Sequence, residues 1–223
     1  MIIFHGSKYI VDNPEYGKSK PYNDYGRGFY CTEDIELAKE WSVDENGNGY
    51  ANKYNLDTKG LNILYLNSKD YNILHWITLL LKNRSFSATS DIAREAKKYL
   101  INNFSIDTTG YDVIIGYRAD DSYFAYANNF LNNTISINKL SKAMKLGNLG
   151  EQVVLVSEKA FKNIHFIEAT TADNNVYFPL KTKRDYEARK EYLNSDRNIM
   201  AINELYIMDI IRQEIKEDDP RLQ

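Results

Sequence analysis

This sequence contains short apolar segments, each of which ends in a polar stretch that contains glycine. Ile2–Phe4 runs into His5-Gly6-Ser7, and Tyr111–Gly116 runs into the polar string Tyr117–Ser122. Apolar runs of this length are typical of buried strands, whereas glycine and polar residues are typical of the loops that follow them. The chain is therefore expected to present chemically active side chains where strands end.

Helical periodicity alternates with these strands. After Thr32, a candidate N-cap, the apolar residues Ile35, Ala38 and Trp41 follow at helical spacing. Helices are predicted from Thr32, over 70–82, 90–103, 123–132 and 137–144, and from 184 onward, and strands over 29–31, 50–66 (one or two), 151–157 and 164–169. This order predicts an α+β domain over 1–180 and a helical extension, packed on it, over 181–223.

Composition excludes several classes of function. Three scattered histidines and one cysteine give no paired ligand spacing for a zinc site, so no metal is expected. Cys31 lies in an apolar strand and cannot form an internal disulfide, which, with no signal peptide, favours the cytoplasm. The apolar run Ile73–Leu81 is too short to span a bilayer. A net charge of −3 provides no overall positive field for nucleic acid or membranes.

Taken singly, the remaining candidate residues have ordinary structural interpretations. His5 alone is most simply a loop residue with a backbone partner, and Tyr30 and Trp41 are packing residues. Glu151 is a solvated strand start. Only their order and spacing are informative, and Trp41 follows Tyr30 by eleven positions.

In this order, the segments resemble the His-Tyr-Glu class of ADP-ribosyltransferases, which includes poly(ADP-ribose) polymerases and diphtheria-toxin-like enzymes. The resemblance rests on Phe4–Ser7, on Gly26–Tyr30 running into Thr32–Trp41, and on Gly150–Val154. A second resemblance, through Asn23–Tyr30 and Gly116–Asp121, spans nearly the whole chain. It is to an uncharacterised bacterial family of transferase-like proteins thought to lie beside small partner genes in toxin–antitoxin-like operons.

These resemblances imply a split antiparallel sheet core with flanking helices, and NAD as the substrate. Tyr30 and Trp41 would sandwich the nicotinamide, while the backbone of Gly6 would bind its carboxamide. His5 would contact ribose hydroxyls, and Glu151 would stabilise the oxocarbenium-like transition state. The NAD-binding set is His5, Gly6, Ser7, Tyr30, Trp41 and Gln152, and the catalytic set is Glu151, Tyr30 and His5.

Glu151 and Gln152 are neighbours on a predicted strand, so only one of them faces a cleft. Glu151 is favoured because a carboxylate stabilises a cation better than an amide does. Leu149, two positions before Glu151, is neither Glu nor Gln, which disfavours the arginine-modifying class.

Arg118, Asp120 and Asp121 are expected to line the acceptor side or to contact a phosphate, although a salt-bridged loop explains them equally well. The function implied is a mono-ADP-ribosyltransferase acting as a bacterial toxin or defence effector on a protein or nucleic-acid acceptor, with a small antitoxin as a further partner. The alternatives are an NAD glycohydrolase and an inactive module that binds NAD or ADP-ribose.

Overall fold

The structure, a computed structural model, describes residues 1–86, 88, 90–118, 121–146, 150–195 and 204–222. In these ranges the strands are β1 (Ile2–Ser7), β2 (Phe29–Cys31), β3 (Gly49–Leu56), β4 (Ile63–Tyr65), β5 (Val113–Tyr117), β6 (Glu151–Leu155) and β7 (Ile164–Ala172). The helices are α1 (Ile35–Ser42), α2 (Ile73–Asn83), α3 (Asp91–Asn103), α4 (Asp121–Leu131), α5 (Ile137–Ala143), α6 (Glu158–Lys162), α7 (Asn174–Ser195) and α8 (Ile207–Arg212). The predicted α+β class is confirmed.

The strands form two sheets. One has three antiparallel strands in the order β1-β3-β7, and the other has four in the order β2-β6-β5-β4. In the second sheet only β4 and β5 run parallel. Strands adjacent in a sheet are therefore distant in sequence, and β2, which carries Tyr30, lies beside β6, which carries Glu151.

The sheets pack against each other through one apolar cluster and bury a second beneath the helices. The first cluster joins Ile3 and Tyr54 of the three-stranded sheet to Val153 and Leu155 of the other, with Cys31 fully buried among them. The second cluster lies on the opposite face of the four-stranded sheet, against α2 to α5 and α8. Because Val113–Ile115 of β5 and Val153–Leu155 of β6 are covered on both faces, these parts of the strands are continuously apolar rather than alternating.

The apolar run Ile73–Leu81 lies in α2, a helix whose side chains are buried on almost every side. Asn72 caps its first turn, and the ring of His75 accepts a hydrogen bond from the backbone N–H of Asn72. This capping role explains a histidine in an apolar helix. Throughout the described ranges, each helix is either too short or too polar to cross a membrane.

Two predicted boundaries differ from the structure. Helix α1 begins at Ile35, not at Thr32, because the carboxylate of Asp34 caps its first turn and Thr32 pairs with Phe4 instead. The C-terminal helix was expected from 184, but α7 begins at Asn174. The predicted division between 180 and 181 therefore falls inside α7.

Candidate functional site

The two sheets meet where β1 touches β2. The backbones of Phe4 and Thr32 exchange two hydrogen bonds, of 2.7 and 2.9 Å. Thr32 directly follows β2, and among the described residues no second backbone bridge joins this segment to β1, so beyond Phe4 the two strands separate. The motif residues His5 and Gly6 lie at the start of this separation.

The imidazole of His5 occupies the position where the strands part. Its Nδ1 lies 2.7 Å from the carbonyl oxygen of Tyr30 on β2, and its ring contacts that of Phe29 at a tilt of 32°, with centroids 4.3 Å apart. A carbonyl only accepts, so Nδ1 carries the hydrogen and Nε2 is an acceptor. Burial lowers the pKa of His5, which keeps the ring neutral.

Gly6 presents backbone groups to the same opening. Phe4 directs its N–H and C=O toward β2 and away from β3, and in an antiparallel pair this direction repeats at every second residue. Gly6 therefore directs one donor and one acceptor into the gap. A Cβ at Gly6 would lie 2.1 Å from the carbonyl oxygen of Ala38 in α1, so this close packing also requires glycine.

An asparagine beneath this edge fixes the loop that follows β1. Asn52 on β3 is fully buried and donates to the carbonyl of His5 and to the hydroxyl of Ser7, each at 3.0 Å. Its side-chain oxygen accepts from the N–H of Val11. Sequence reasoning missed Asn52, whose only signal is a polar residue inside a predicted strand.

His5 and Tyr30 line one groove of about 450 Å³ between β2 and the loop over 11–23. The hydroxyl of Tyr30 donates to the carbonyl of Gly26 at 2.7 Å and accepts from the N–H of Tyr25 at 3.0 Å. Burial raises the pKa of Tyr30 well above its usual value. The ring of Tyr30 is thus fixed and neutral, and it packs against the cluster beneath the helices, whereas Phe29 packs against the cluster between the sheets.

The neighbours Glu151 and Gln152 point to opposite faces of β6. Gln152 is buried and donates to the carboxylate of Asp24 at 2.9 Å, while Arg84 forms an ion pair with the same carboxylate at 2.6 Å. Glu151 is exposed and accepts a hydrogen bond from the amide of Asn67. The residue that reaches solvent is therefore Glu151.

Glu151 lines a second groove, of about 740 Å³, beside the start of α1. Glu33 and Asp34 line the same groove, which is therefore acidic. Phe29, which His5 contacts, lies opposite Leu155 in the pairing of β2 with β6, and Glu151 lies four residues from Leu155, about 13 Å along β6. His5 and Glu151 thus line two separate grooves.

Trp41 does not line either groove. The guanidinium of Arg118, just beyond β5, lies 3.9 Å from the centroid of its ring. The indole nitrogen of Trp41 is buried and meets no hydrogen-bond acceptor among the described residues. Leaving such a donor unsatisfied costs about 1–3 kcal/mol. The ring face that would hold the nicotinamide in the predicted sandwich of Tyr30 and Trp41 is thus in contact with Arg118 in this structure.

The other acceptor-side residues are only partly visible. Asp120 lies outside the described residues, as does Leu149, and Asp121 is the first residue of α4. The described residues include no cluster of three or more His, Cys, Asp or Glu side chains that could hold a metal ion. Asp24 and Arg84, which fix Gln152, were not predicted as site residues.

A family model described as Protein of unknown function (DUF3990) matches residues 1–166. The chain belongs to this family. The DUF3990 match includes β1 to β6 and every predicted site residue, and it ends in the first third of β7. Helices α7 and α8 lie beyond it. Comparisons with curated proteins and with solved structures gave no significant match.

Proposed function

We propose that this DUF3990 protein is an ADP-ribosyltransferase that cleaves the bond between nicotinamide and ribose in NAD and transfers ADP-ribose to a macromolecule. The observation that carries the proposal is the junction of the two sheets. There His5 and Gly6 on β1 and Tyr30 on β2 lie beside one groove, and Glu151 on β6 lines a second groove.

The unpaired edge at Gly6 suits a carboxamide. A primary carboxamide has donors on nitrogen and an acceptor on oxygen, which complement the N–H and C=O that Gly6 directs into the gap. A backbone edge binds such a group without side-chain rearrangement. This complementarity favours nicotinamide over a ligand that bears only acceptors.

His5 and Tyr30 suit the sugar and the ring next to it. The unprotonated Nε2 of His5 accepts a hydrogen bond from a ribose hydroxyl, because the proton of the ring is on Nδ1, which donates to the carbonyl of Tyr30. The ring of Tyr30, held by its hydroxyl, offers a flat surface for stacking.

The acidic groove around Glu151 suits the reaction. Loss of nicotinamide leaves positive charge on the ribose, and carboxylates placed nearby lower the free energy of that transition state more than that of the neutral sugar. Glu151 is the exposed carboxylate on β6, whereas the carboxylate of Asp34 is already used to cap α1. We therefore assign the stabilisation of the cation to Glu151.

We further propose that the protein acts in the cytoplasm as a toxin or defence effector, with a small antitoxin as its partner. Cys31 is fully buried and is the only cysteine, so the fold has no internal disulfide. The second candidate activity is an NAD glycohydrolase, which is favoured by the openness of the groove at Glu151 to water.

The deciding experiment uses NAD labelled on its adenylate half, incubated with the protein and a cell extract. Label on a macromolecule supports transfer, and free ADP-ribose without transfer supports the glycohydrolase. Absence of nicotinamide release would contradict both enzymatic functions. Retention of labelled NAD without turnover would instead support a module that only binds it.

A further inference from the structure

A tight turn over residues 23–26 precedes β2, and the N–H of Gly26 closes it by donating to the carbonyl of Asn23 at 3.0 Å. Asn23 lines the same groove as Tyr30. The hydroxyl of Tyr30 donates to the carbonyl of Gly26 at 2.7 Å and accepts from the N–H of Tyr25 at 3.0 Å. Movement of the turn would therefore change one wall of the groove and the surroundings of Tyr30.

The C-terminal end of α2 holds this turn. The carboxylate of Asp24, a residue that is 3% exposed, forms an ion pair of 2.6 Å with Arg84, which directly follows α2. Asn83, the last residue of α2, donates to the carbonyl of Asp24 at 3.2 Å. A Cβ added at Gly26, where φ is +78°, would lie 3.1 Å from the side-chain oxygen of Asn83, so the turn packs closely on that residue. Two consecutive residues thus contact both the side chain and the backbone of the turn.

The buried charge of Asp24 makes its ion pair with Arg84 the decisive contact. The amide of Gln152 also donates to this carboxylate, at 2.9 Å, but it brings no positive charge. If Arg84 loses its charge, the carboxylate is left uncompensated away from water, which is strongly unfavourable. The carboxylate regains hydration only if the turn moves, because Asp24 is part of the turn.

We propose that Arg84 is a positioning residue, which acts through Asp24 to hold the turn over 23–26. The turn, held there, keeps Tyr30 and the groove wall at Asn23 in place. The charges of Asp24 and Arg84 also act on the pKa of Tyr30, which is raised chiefly by burial, so the three groups lie close together. That the ligand of this groove is NAD rests on the proposed function, whereas the anchoring of the turn does not.

Arg84 is expected to influence binding more than chemistry. The groove at Tyr30 is separate from the groove of Glu151, to which the stabilisation of the cation is assigned. A displaced groove wall weakens the binding of substrate and of transition state alike, so it raises KM with little change in kcat. A purely structural role would instead lower the amount of folded enzyme, and with it the apparent kcat, at an unchanged KM.

The test replaces Arg84 and follows the turn directly, at about pH 8, where free carboxyl groups are ionised. Arg84→Met keeps an apolar stem but removes the charge, and Arg84→Lys restores the charge. The matched control is Arg189→Met, at an arginine whose ion pair with Asp185 is exposed. Hydrogen exchange at the amide of Tyr25, measured by NMR, reports the turn, because this N–H donates to the hydroxyl of Tyr30.

In Arg84→Met, exchange at Tyr25 should be faster than in the wild type by about tenfold or more, while the amides of β6 remain protected. The KM for NAD should rise by about tenfold, the effect of losing one hydrogen bond to a ligand. Arg84→Lys and Arg189→Met should stay close to the wild type in both measurements. Asn83→Ala removes a contact to the turn without leaving a buried charge, and it should speed exchange at Tyr25 to a smaller extent.

Unchanged exchange at Tyr25 in a folded Arg84→Met protein would overturn the proposal, and if that variant does not fold, unchanged exchange in Asn83→Ala would do so. A lower kcat at an unchanged KM would also overturn it, because only the amount of folded enzyme would have changed. Faster exchange at Tyr25 with no nicotinamide release in any protein, the wild type included, would support the anchoring of the turn and contradict the proposed function instead.

Discussion

The Nδ1 atom of His5 donates its hydrogen to the carbonyl oxygen of Tyr30, which would otherwise be available to continue the pairing of β1 with β2. The imidazole therefore fixes the point at which the two sheets part. It does so as a neutral ring, and this has a measurable consequence for stability.

Acidification should destabilise the protein partly through His5. Burial lowers its pKa below the value of 6.5 that applies in the unfolded chain, so the unfolded state binds more protons as the pH falls below 6.5. His5→Gln should therefore lose less unfolding free energy between about pH 7.5 and about pH 5 than the wild type does. The pKa of His75 is lowered in the same way, so part of the dependence of stability on pH remains in both proteins. Urea denaturation at each pH measures this, with the exposed His165→Gln as control; equal slopes in all three proteins would refute the assignment.

Gly6→Ala should be strongly destabilising. The new methyl group would lie 2.1 Å from the carbonyl oxygen of Ala38, so α1 must move away from β1. Overpacking of this kind costs about 1–3 kcal/mol of unfolding free energy. Thermal denaturation is the measurement, and Gly47→Ala is the control because nothing lies within 4 Å of its added methyl group. Equal melting temperatures for the two variants would show that the packing of Gly6 is looser than described.

Gln152→Leu should affect stability rather than chemistry. It leaves a carboxylate oxygen of the buried Asp24 without the amide donor now 2.9 Å away, which costs about 1–3 kcal/mol. Gln213→Leu, at an exposed position, serves as control. If Gln152→Leu kept the wild-type stability and abolished nicotinamide release, the catalytic assignment would be wrong by one residue.

Glu151→Gln should affect catalysis rather than stability. Its side chain is exposed, so the melting temperature should stay unchanged. Loss of a group that stabilises the charge of a transition state lowers kcat by about a hundredfold or more, with little change in KM. Steady-state nicotinamide release measures this, and Glu158→Gln, an exposed glutamate on α6, is the control. The same variant should relieve growth inhibition in cells, and persistent inhibition would argue against the role of Glu151.

Local patterns in the sequence predicted most of the elements. Short apolar runs became strands, and residues 137–144 became α5 almost to the residue, because strand and helix periodicities depend on near neighbours. The alternation of strand side chains also predicted that Glu151 and Gln152 face opposite ways, and Glu151 is exposed while Gln152 is buried.

Contacts between distant residues could not be predicted in the same way. The hydrogen bonds from Asn52 to His5 and Ser7, and the stack of Arg118 on Trp41, depend on sheet order and helix packing. Contacts between residues in separate segments can be recognised only after the topology is known.

The last strand carries a practical consequence for anyone who wishes to produce a shorter protein. The family match stops at 166, yet β7 continues to Ala172 and pairs Glu168–Ala172 with Gly49–Lys53 of β3. A fragment cut at 166 would leave that half of β3 with unpaired backbone groups along an open edge, a template for aggregation. The smallest fragment that preserves both sheets therefore extends six residues past the match, to Ala172.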